Sequence, residues 1–309
     1  MYLGKRPNIF AKKELLPAPI AFEVPSPILG LGQLAYLASL KEENTNEPRI
    51  LAREFDTTFR KSHGEVGFRS KLKQLAKDVK QAVNEGVSIV ILTDKNANYE
   101  NLPIPCLLAL RIIATEMRDS GMRLKFSIII HSGELRTTHQ IATTIGMGAS
   151  AVCPYLALEI ARNETHKDVA HLSPEQREKN LIKAYEDGLL KIMAKMGISV
   201  VRSYQSSRLF TSIGIAEDLI DIYFEGVTPK LGGIGWAEIV HDLIEKSEKA
   251  RLAEEANTLP NAYIFKEHPR GLVGEKHSMT ASRSKIIHEL VRKTGLGLDN
   301  WELYAEYLK

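Results

Sequence analysis

The sequence predicts an α/β protein built around a parallel sheet. Two runs, VSIVIL (87–92) and LKFSIII (124–130), are β-rich and strongly apolar, as strands covered on both faces must be. Segments with apolar residues at helical spacing lie between and around them. The resulting order of strand, helix, strand, helix, strand is the pattern of βαβ units.

The elements follow in chain order. Residues 1–27 lack periodicity and carry Pro7, Pro17, Pro19, Pro25 and Pro27, each fixing φ and removing a donor. An extended arm lying across another surface is expected there. A short amphipathic helix is predicted at 31–40, a polar loop at 42–47 and a strand at 50–54. Phe68, Leu72, Leu75, Val79 and Ala82 mark a helix over 67–85, stopped by Gly86. Strand 87–92 leads to a helix at 103–119, with Pro105 tolerated in its first turn. Strand 124–130, helix 134–145 and strand 149–153 continue the alternation, and the polar stretch 163–175 reads as a loop. Leu181, Ile182, Tyr185, Leu189, Ile192 and Met193 place a helix at 179–196. A strand at 198–202, short helices at 205–212 and 216–223 and a Gly/Pro-rich segment at 226–235 are expected next. A charged surface helix at 236–252, a stretch of little order at 254–280 and closing helices at 284–294 and 301–309 complete the chain.

Composition bounds the function. With 41 basic against 38 acidic residues in 309, no basic cluster suited to phosphate neutralisation stands out, which argues against nucleic-acid partners. Cys106 and Cys153 are the two cysteines and have no CxxC spacing, so a zinc site, a disulfide framework and a cysteine-ligated iron–sulfur cluster are disfavoured. Low cysteine content fits a reducing cytoplasm. No run of about 18 apolar residues is present, which disfavours membrane spanning.

Two turns are candidates for binding an anion. Ser132 and Gly133 are expected to open a helix after a strand, exposing free N–H groups, and Arg136 could add a bidentate contact. The simpler reading, and the preferred one, is that Ser132 caps the helix and Gly148 ends it. Ser206, Ser207 and Arg208 form a similar turn after the 198–202 strand, with the same two readings. Gly146 and Gly148 read as a helix-to-strand turn, because neither GxGxxG after a strand nor GxxxxGK[ST] is present. His131 and His139 are eight residues apart, unlike the two-histidine helix motif whose spacing is four, so no metal site is assigned. Asp94 is the lone acidic candidate at a strand end. Both cysteines read as buried and inert, and no catalytic residue is assigned.

Six blocks carry a family resemblance. TFRKSHGEVGF (58–68), ILTDKN (91–96), LPIPCLLAL (102–110), SGELRTTHQIATTIGMGASAVCPYLALE (132–159), LLKIMAKMGISVVRSYQSSRLFTSIGI (189–215) and YFEGVTPKLGGIG (223–235) resemble successive blocks of the glutamate synthase central domain. YLGKRPNI (2–9) and VPSPIL (24–29) resemble its opening, and GEKH (274–277) its end.

That resemblance implies a single central domain over 1–309, folded as a degenerate or incomplete flavin-type (β/α) barrel. An extended arm at 1–30, an α/β body at 50–240 and a helical segment at 241–309 are expected. The implied role is structural: the domain connects an amidotransferase domain, which releases ammonia from glutamine, to an FMN-binding domain, which makes glutamate from 2-oxoglutarate. It also helps enclose the ammonia route. FMN and the iron–sulfur cluster are expected in those other domains and no cofactor in this chain. Both domains are the expected partners, with self-association as a further expectation. Met1 stands where the family's domain opens, so the chain is expected to be an excised domain or one member of a split enzyme. The competing expectation is a free-standing flavin- or phosphate-binding enzyme, or a subunit that senses a metabolite.

Overall fold

The computed structural model describes residues 1–7, 10, 21–40, 50–205, 207, 209–257, 281–294 and 301–308. In order they form β1 (Tyr2–Gly4), β2 (Ala21–Glu23), α1 (Leu31–Ala38), β3 (Ala52–Asp56), β4 (Thr58–Arg60), α2 (Gly64–Asn84), β5 (Ile89–Thr93) and β6 (Asn101–Pro103). Then come α3 (Cys106–Asp119), β7 (Ser127–His131), α4 (Thr138–Gly146), β8 (Ala151–Cys153), α5 (Tyr155–Asn163) and α6 (Pro174–Lys195). The remainder is α7 (Val201–Tyr204), β9 (Thr211–Ile215), α8 (Glu217–Tyr223), β10 (Thr228–Ile234), α9 (Trp236–Glu255), α10 (Ala281–Thr294) and α11 (Trp301–Leu308).

The central sheet has four parallel strands in the order β3-β5-β7-β8, so chain order and spatial order agree. Side chains alternate between its faces. Val90, Leu92, Ile128, Ile130 and Val152 share one cluster with the apolar stripes of α2, α3 and α4. Ile89, Ile91, Ile129, Ala151 and Cys153 share the other with Leu3, Val24, Leu29, Leu34 and Leu37. All three crossover helices therefore cover one face, which is the winding of a (β/α) barrel and not of a doubly wound sheet. The fold is an α/β incomplete barrel whose inner face is filled by the N-terminal arm and α1.

The arm also takes the outer edge of β8. Leu29 donates its N–H to the Val152 carbonyl and Val152 donates to the Pro27 carbonyl, both at 2.8 Å, with Ile28 bridged in parallel to Val152. Elsewhere β1 pairs antiparallel with β2, and the Gly4 N–H donates to the Ser127 hydroxyl at 3.0 Å. The described residues of the arm, 1–7 and 21–30, are thus built into the core. The prolines at 17 and 19 lie outside the described residues.

Edge occupancy explains one miss. A strand is predicted at 198–202, yet the chain turns at Gly197 and enters the short helix α7. ISVVR has strand-forming side chains, but the β8 edge where a fifth barrel strand would pair is already taken. The predicted helix at 205–212 is corrected as well. Thr211–Ile215 is strand β9, and the Gly/Pro-rich 226–235 segment supplies its parallel partner β10. Gly233 passes so close to Gly214 that a Cβ there would sit 2.3 Å from the Gly214 carbonyl oxygen, so glycine is required. The β4–β6 pair and α5 were not anticipated, and α6 starts at Pro174, after the Ser173 cap and five residues before the predicted helix.

Contacts divide the chain into Met1–Arg251 and Leu252–Lys309. Within the second unit, α10 and α11 pack together and the Trp301 and Tyr304 rings stack at 5.3 Å. Residues 258–280, for which the sequence carries little order signal, lie outside the described residues.

Because Leu3 is fully buried against the sheet, Leu3→Ala is expected to cost about 2–5 kcal/mol in urea denaturation. A loss under about 0.5 kcal/mol would show that the arm is not part of the core.

Candidate functional site at the carboxyl ends of the strands

Parallel α/β folds gather polar groups beyond the carboxyl ends of their strands, because the apolar strand interiors exclude them. Here that rim is formed by Asp94 after β5, His131 and Ser132 at the end of β7, and Tyr155 after β8.

Asp94 is the centre of the cluster and only 4% exposed. Its carboxylate accepts the Ser132 hydroxyl at 2.5 Å and the Gly133 N–H at 3.1 and 3.2 Å. Tyr155 also donates toward it: burial, and then the charge of Asp94, push the Tyr155 hydroxyl pKa well up, so the phenol stays protonated. A buried carboxylate needs such donors, since unpaired it would be strongly destabilising. The backbone brings them into place: the Asp94 N–H donates to the His131 carbonyl at 3.3 Å, and the Ser132 N–H to the Cys153 carbonyl at 3.2 Å.

His131 lies beside this network. Its Nδ1 is 2.8 Å from the Thr93 hydroxyl, and its ring lies 4.6 Å from that of Tyr155. Burial lowers its pKa to about 4; Glu54 opposes the shift and Lys95 adds to it. The imidazole is therefore neutral at pH 7. Lys95 itself grips both oxygens of Glu54 at 2.9 and 2.8 Å.

Glu134 has a separate role. Its Oε2 accepts the Cys106 N–H at 2.6 Å, placing a carboxylate on the first turn of α3, where it complements the helix dipole. The Cys106 thiol is pushed well up by burial and next by the Glu134 charge. Cys153 is raised to about 12 by burial and next by Glu178. Neither thiol is ionised near neutral pH, so neither is an activated nucleophile.

The expected anion turns look different in place. Ser132 and Gly133 do not open a helix. Residues 132–137 form a loop and α4 starts at the Thr137 cap, where Thr137 and Gln140 make a capping box. The Ser132 hydroxyl and the Gly133 N–H are engaged with the protein's own carboxylate. Arg136 is exposed, and its N–H donates to Gln140 at 3.0 Å. Ser207 has a buried hydroxyl without a partner among the described residues, while Ser206 and Arg208 lie outside them. Tyr155 and the capping role of Glu134 were missed. The one available signal for Tyr155 was its place two residues after a predicted strand.

Among the described residues, no group of three or more His, Cys, Asp or Glu side chains is placed to hold a metal ion. No described helix is long and apolar enough to cross a membrane.

Fold and rim together define an α/β protein of the incomplete (β/α)-barrel class, with a buried, internally satisfied polar cluster where such folds carry their chemistry. The family model for the glutamate synthase central domain matches residues 1–216, and the chain belongs to that family. It is 33% identical over 304 residues to the chloroplastic ferredoxin-dependent glutamate synthase of Spinacia oleracea, covering 94% of this chain and 18% of that protein. It is 34% identical over 238 residues to the glutamate synthase [NADPH] large chain of Bacillus subtilis (strain 168), covering 77% of this chain and 15% of that protein. The chain thus spans less than a fifth of the length of these relatives. Among solved structures, a mutant flavocytochrome b2 with benzoylformate matches 53% of this chain and 34% of its own, at 13% identity and a TM-score of 0.40.

Two outcomes are expected. Asp94→Ala strands the Ser132 and Gly133 donors and should destabilise by about 2–4 kcal/mol in urea titration, with Asp94→Asn losing less. A change under about 0.5 kcal/mol for the alanine variant would contradict the structural role of Asp94. The second concerns pH. His131 binds its proton less tightly folded (pKa about 4) than unfolded (6.5). Its contribution is complete above 6.5 and is lost as pH falls toward 4. Between about pH 7.5 and 5 the parent chain should lose about 2 kcal/mol more than His131→Gln. Equal pH profiles would contradict a buried neutral imidazole.

Proposed function

We propose that this chain is a positioning domain of glutamate synthase, without a catalytic or flavin site of its own. It connects the part that releases ammonia from glutamine to the part that reduces the product formed with 2-oxoglutarate. It also walls the path between them, in the service of nitrogen assimilation. Holding two distant sites at fixed spacing is a catalytic contribution in itself, because it avoids loss of a diffusible intermediate. The partners are the amidotransferase and FMN-binding domains of the same enzyme.

The observation that carries this reading is the occupancy of the rim by Asp94. The serine hydroxyl and free N–H that would cradle a cofactor phosphate already bind a carboxylate, whose negative charge repels a second anion. The filled inner face of the sheet supports the same reading, since Leu3, Val24 and Leu29 lie where an open barrel would present its interior. The residues present do not fit a flavin phosphate at this rim.

The test combines colour, activity and association. The purified chain is expected to lack a visible flavin band and to make no glutamate from 2-oxoglutarate, glutamine and a chemical reductant. It is expected to co-elute with separately produced amidotransferase and FMN-binding domains on gel filtration. A yellow chain that makes glutamate alone would overturn the reading, as would a chain that ignores both domains.

A further inference from the structure

At the opposite end of the sheet from the Asp94 cluster, where β7 and β8 begin, arginines from three segments gather. Arg111 and Arg118 lie on α3, and Arg123 lies in the turn between α3 and β7. Arg6 comes from the arm, where its N–H donates to the Leu124 carbonyl at 3.0 Å and holds the arm beside that turn.

The guanidinium groups are fixed in place. Arg123 donates from Nη2 to the Gly148 carbonyl at 2.7 Å and from Nη1 to the Phe126 carbonyl at 3.4 Å, with the Phe126 ring 5.6 Å below it. Arg111 donates from Nη1 to the Met147 carbonyl at 3.0 Å and from Nε to the Tyr223 carbonyl at 2.8 Å. Arg118 donates from Nη1 to Glu225 at 2.6 Å. These three arginines share with Met147, Phe224 and Glu225 a cavity of about 130 Å³. Their anchoring atoms belong to residues that line the cavity or adjoin its lining, so the guanidinium groups sit at its wall.

The charges there do not balance. Arg118 is matched by Glu225 and by Asp119 at 2.9 Å. Arg6 and Arg123 meet no carboxylate among the described residues, and the charges that act on them are positive. Burial, and next Arg6 and Arg111, pull the Arg123 pKa down to about 10. Burial, and next Arg202, lower that of Arg6. Both stay protonated at pH 7. Carbonyls orient a guanidinium but carry no net charge, and a buried cation among like charges is destabilising unless an anion joins it. Arg123 also has donors to spare: a guanidinium carries five N–H groups, and two are engaged with carbonyls. A volume of about 130 Å³ holds about four non-hydrogen atoms at ~30 Å³ each, the size of one carboxylate or phosphate group.

We propose that this cavity binds the oxyanion group of a small metabolite, a carboxylate or a phosphate, with Arg123 as the main donor and Arg111 and Arg118 beside it. The site lies apart from the Asp94 cluster and is independent of the connecting role.

The test is calorimetric titration of the full chain with sodium phosphate and with sodium acetate, ionic strength being held constant with sodium chloride. At least one oxyanion should bind at a single site, and the tighter of the two identifies the group recognised. Arg123→Gln should weaken that binding about tenfold or more, since it removes charge-assisted hydrogen bonds. Arg123→Gln also loses two carbonyl contacts, so two surface variants guard against a folding defect. Glu225→Gln removes a repelling charge and should bind about twofold or more tighter, whereas Arg118→Gln should bind about twofold or more weaker. Both surface variants should melt close to the parent. The proposal is overturned if neither oxyanion binds, if folded Arg123→Gln binds as well as the parent, or if Glu225→Gln and Arg118→Gln both leave the affinity unchanged.

Discussion

The rest of the structure depends on the pairing of residues 27–29 with the outer edge of β8. A sheet edge is a row of unpaired donors and acceptors, and some strand must cover it or leave it open to association. In a closed barrel the next βα unit provides that strand. Here the N-terminal arm does so through Pro27, Ile28 and Leu29. Their side chains alternate as a strand's would: Ile28 enters the helix-side cluster and Leu29 the inner one. Four βα strands and an arm then form the whole central sheet.

Several features follow from that substitution. The inner face, no longer enclosed by further strands, is covered by Leu3, Val24, Leu34 and Leu37. The segment 198–202, deprived of an edge, becomes a turn and a short helix. The next two strands pair with each other as a small parallel ribbon, β9 with β10, outside the main sheet. An apolar cavity remains between that ribbon and the helices of the body.

The rim shows what an incomplete barrel does with polar groups that still gather at its strand ends. Burying Asp94 without donors would be prohibitive, so Ser132, Gly133 and Tyr155 converge on it. The result resembles an anion site in its donors but holds an internal anion. Glu134, one residue further along, caps α3 from across the loop. Chemistry-bearing side chains are thus placed together and spent on cohesion, in keeping with the connecting role proposed above.

The sequence by itself determined the parallel α/β class and the positions of the main strands and helices to within a few residues. Apolar runs such as 87–92 and 124–130 have few other places to go than a doubly covered strand, and helices such as α2 carry their buried stripe openly. The family, too, was legible from ordered blocks. Only the tertiary structure decided which strand meets which edge, and so that ISVVR is not a strand while the glycine-rich 228–234 is. It also decided that Ser132 and Gly133 bind Asp94, 38 or more residues away in the chain, and that Tyr155 joins them. The physical reason is range. Periodicity and capping act within a few residues, whereas edge pairing and the solvation of a buried charge depend on groups that only the folded chain brings into contact.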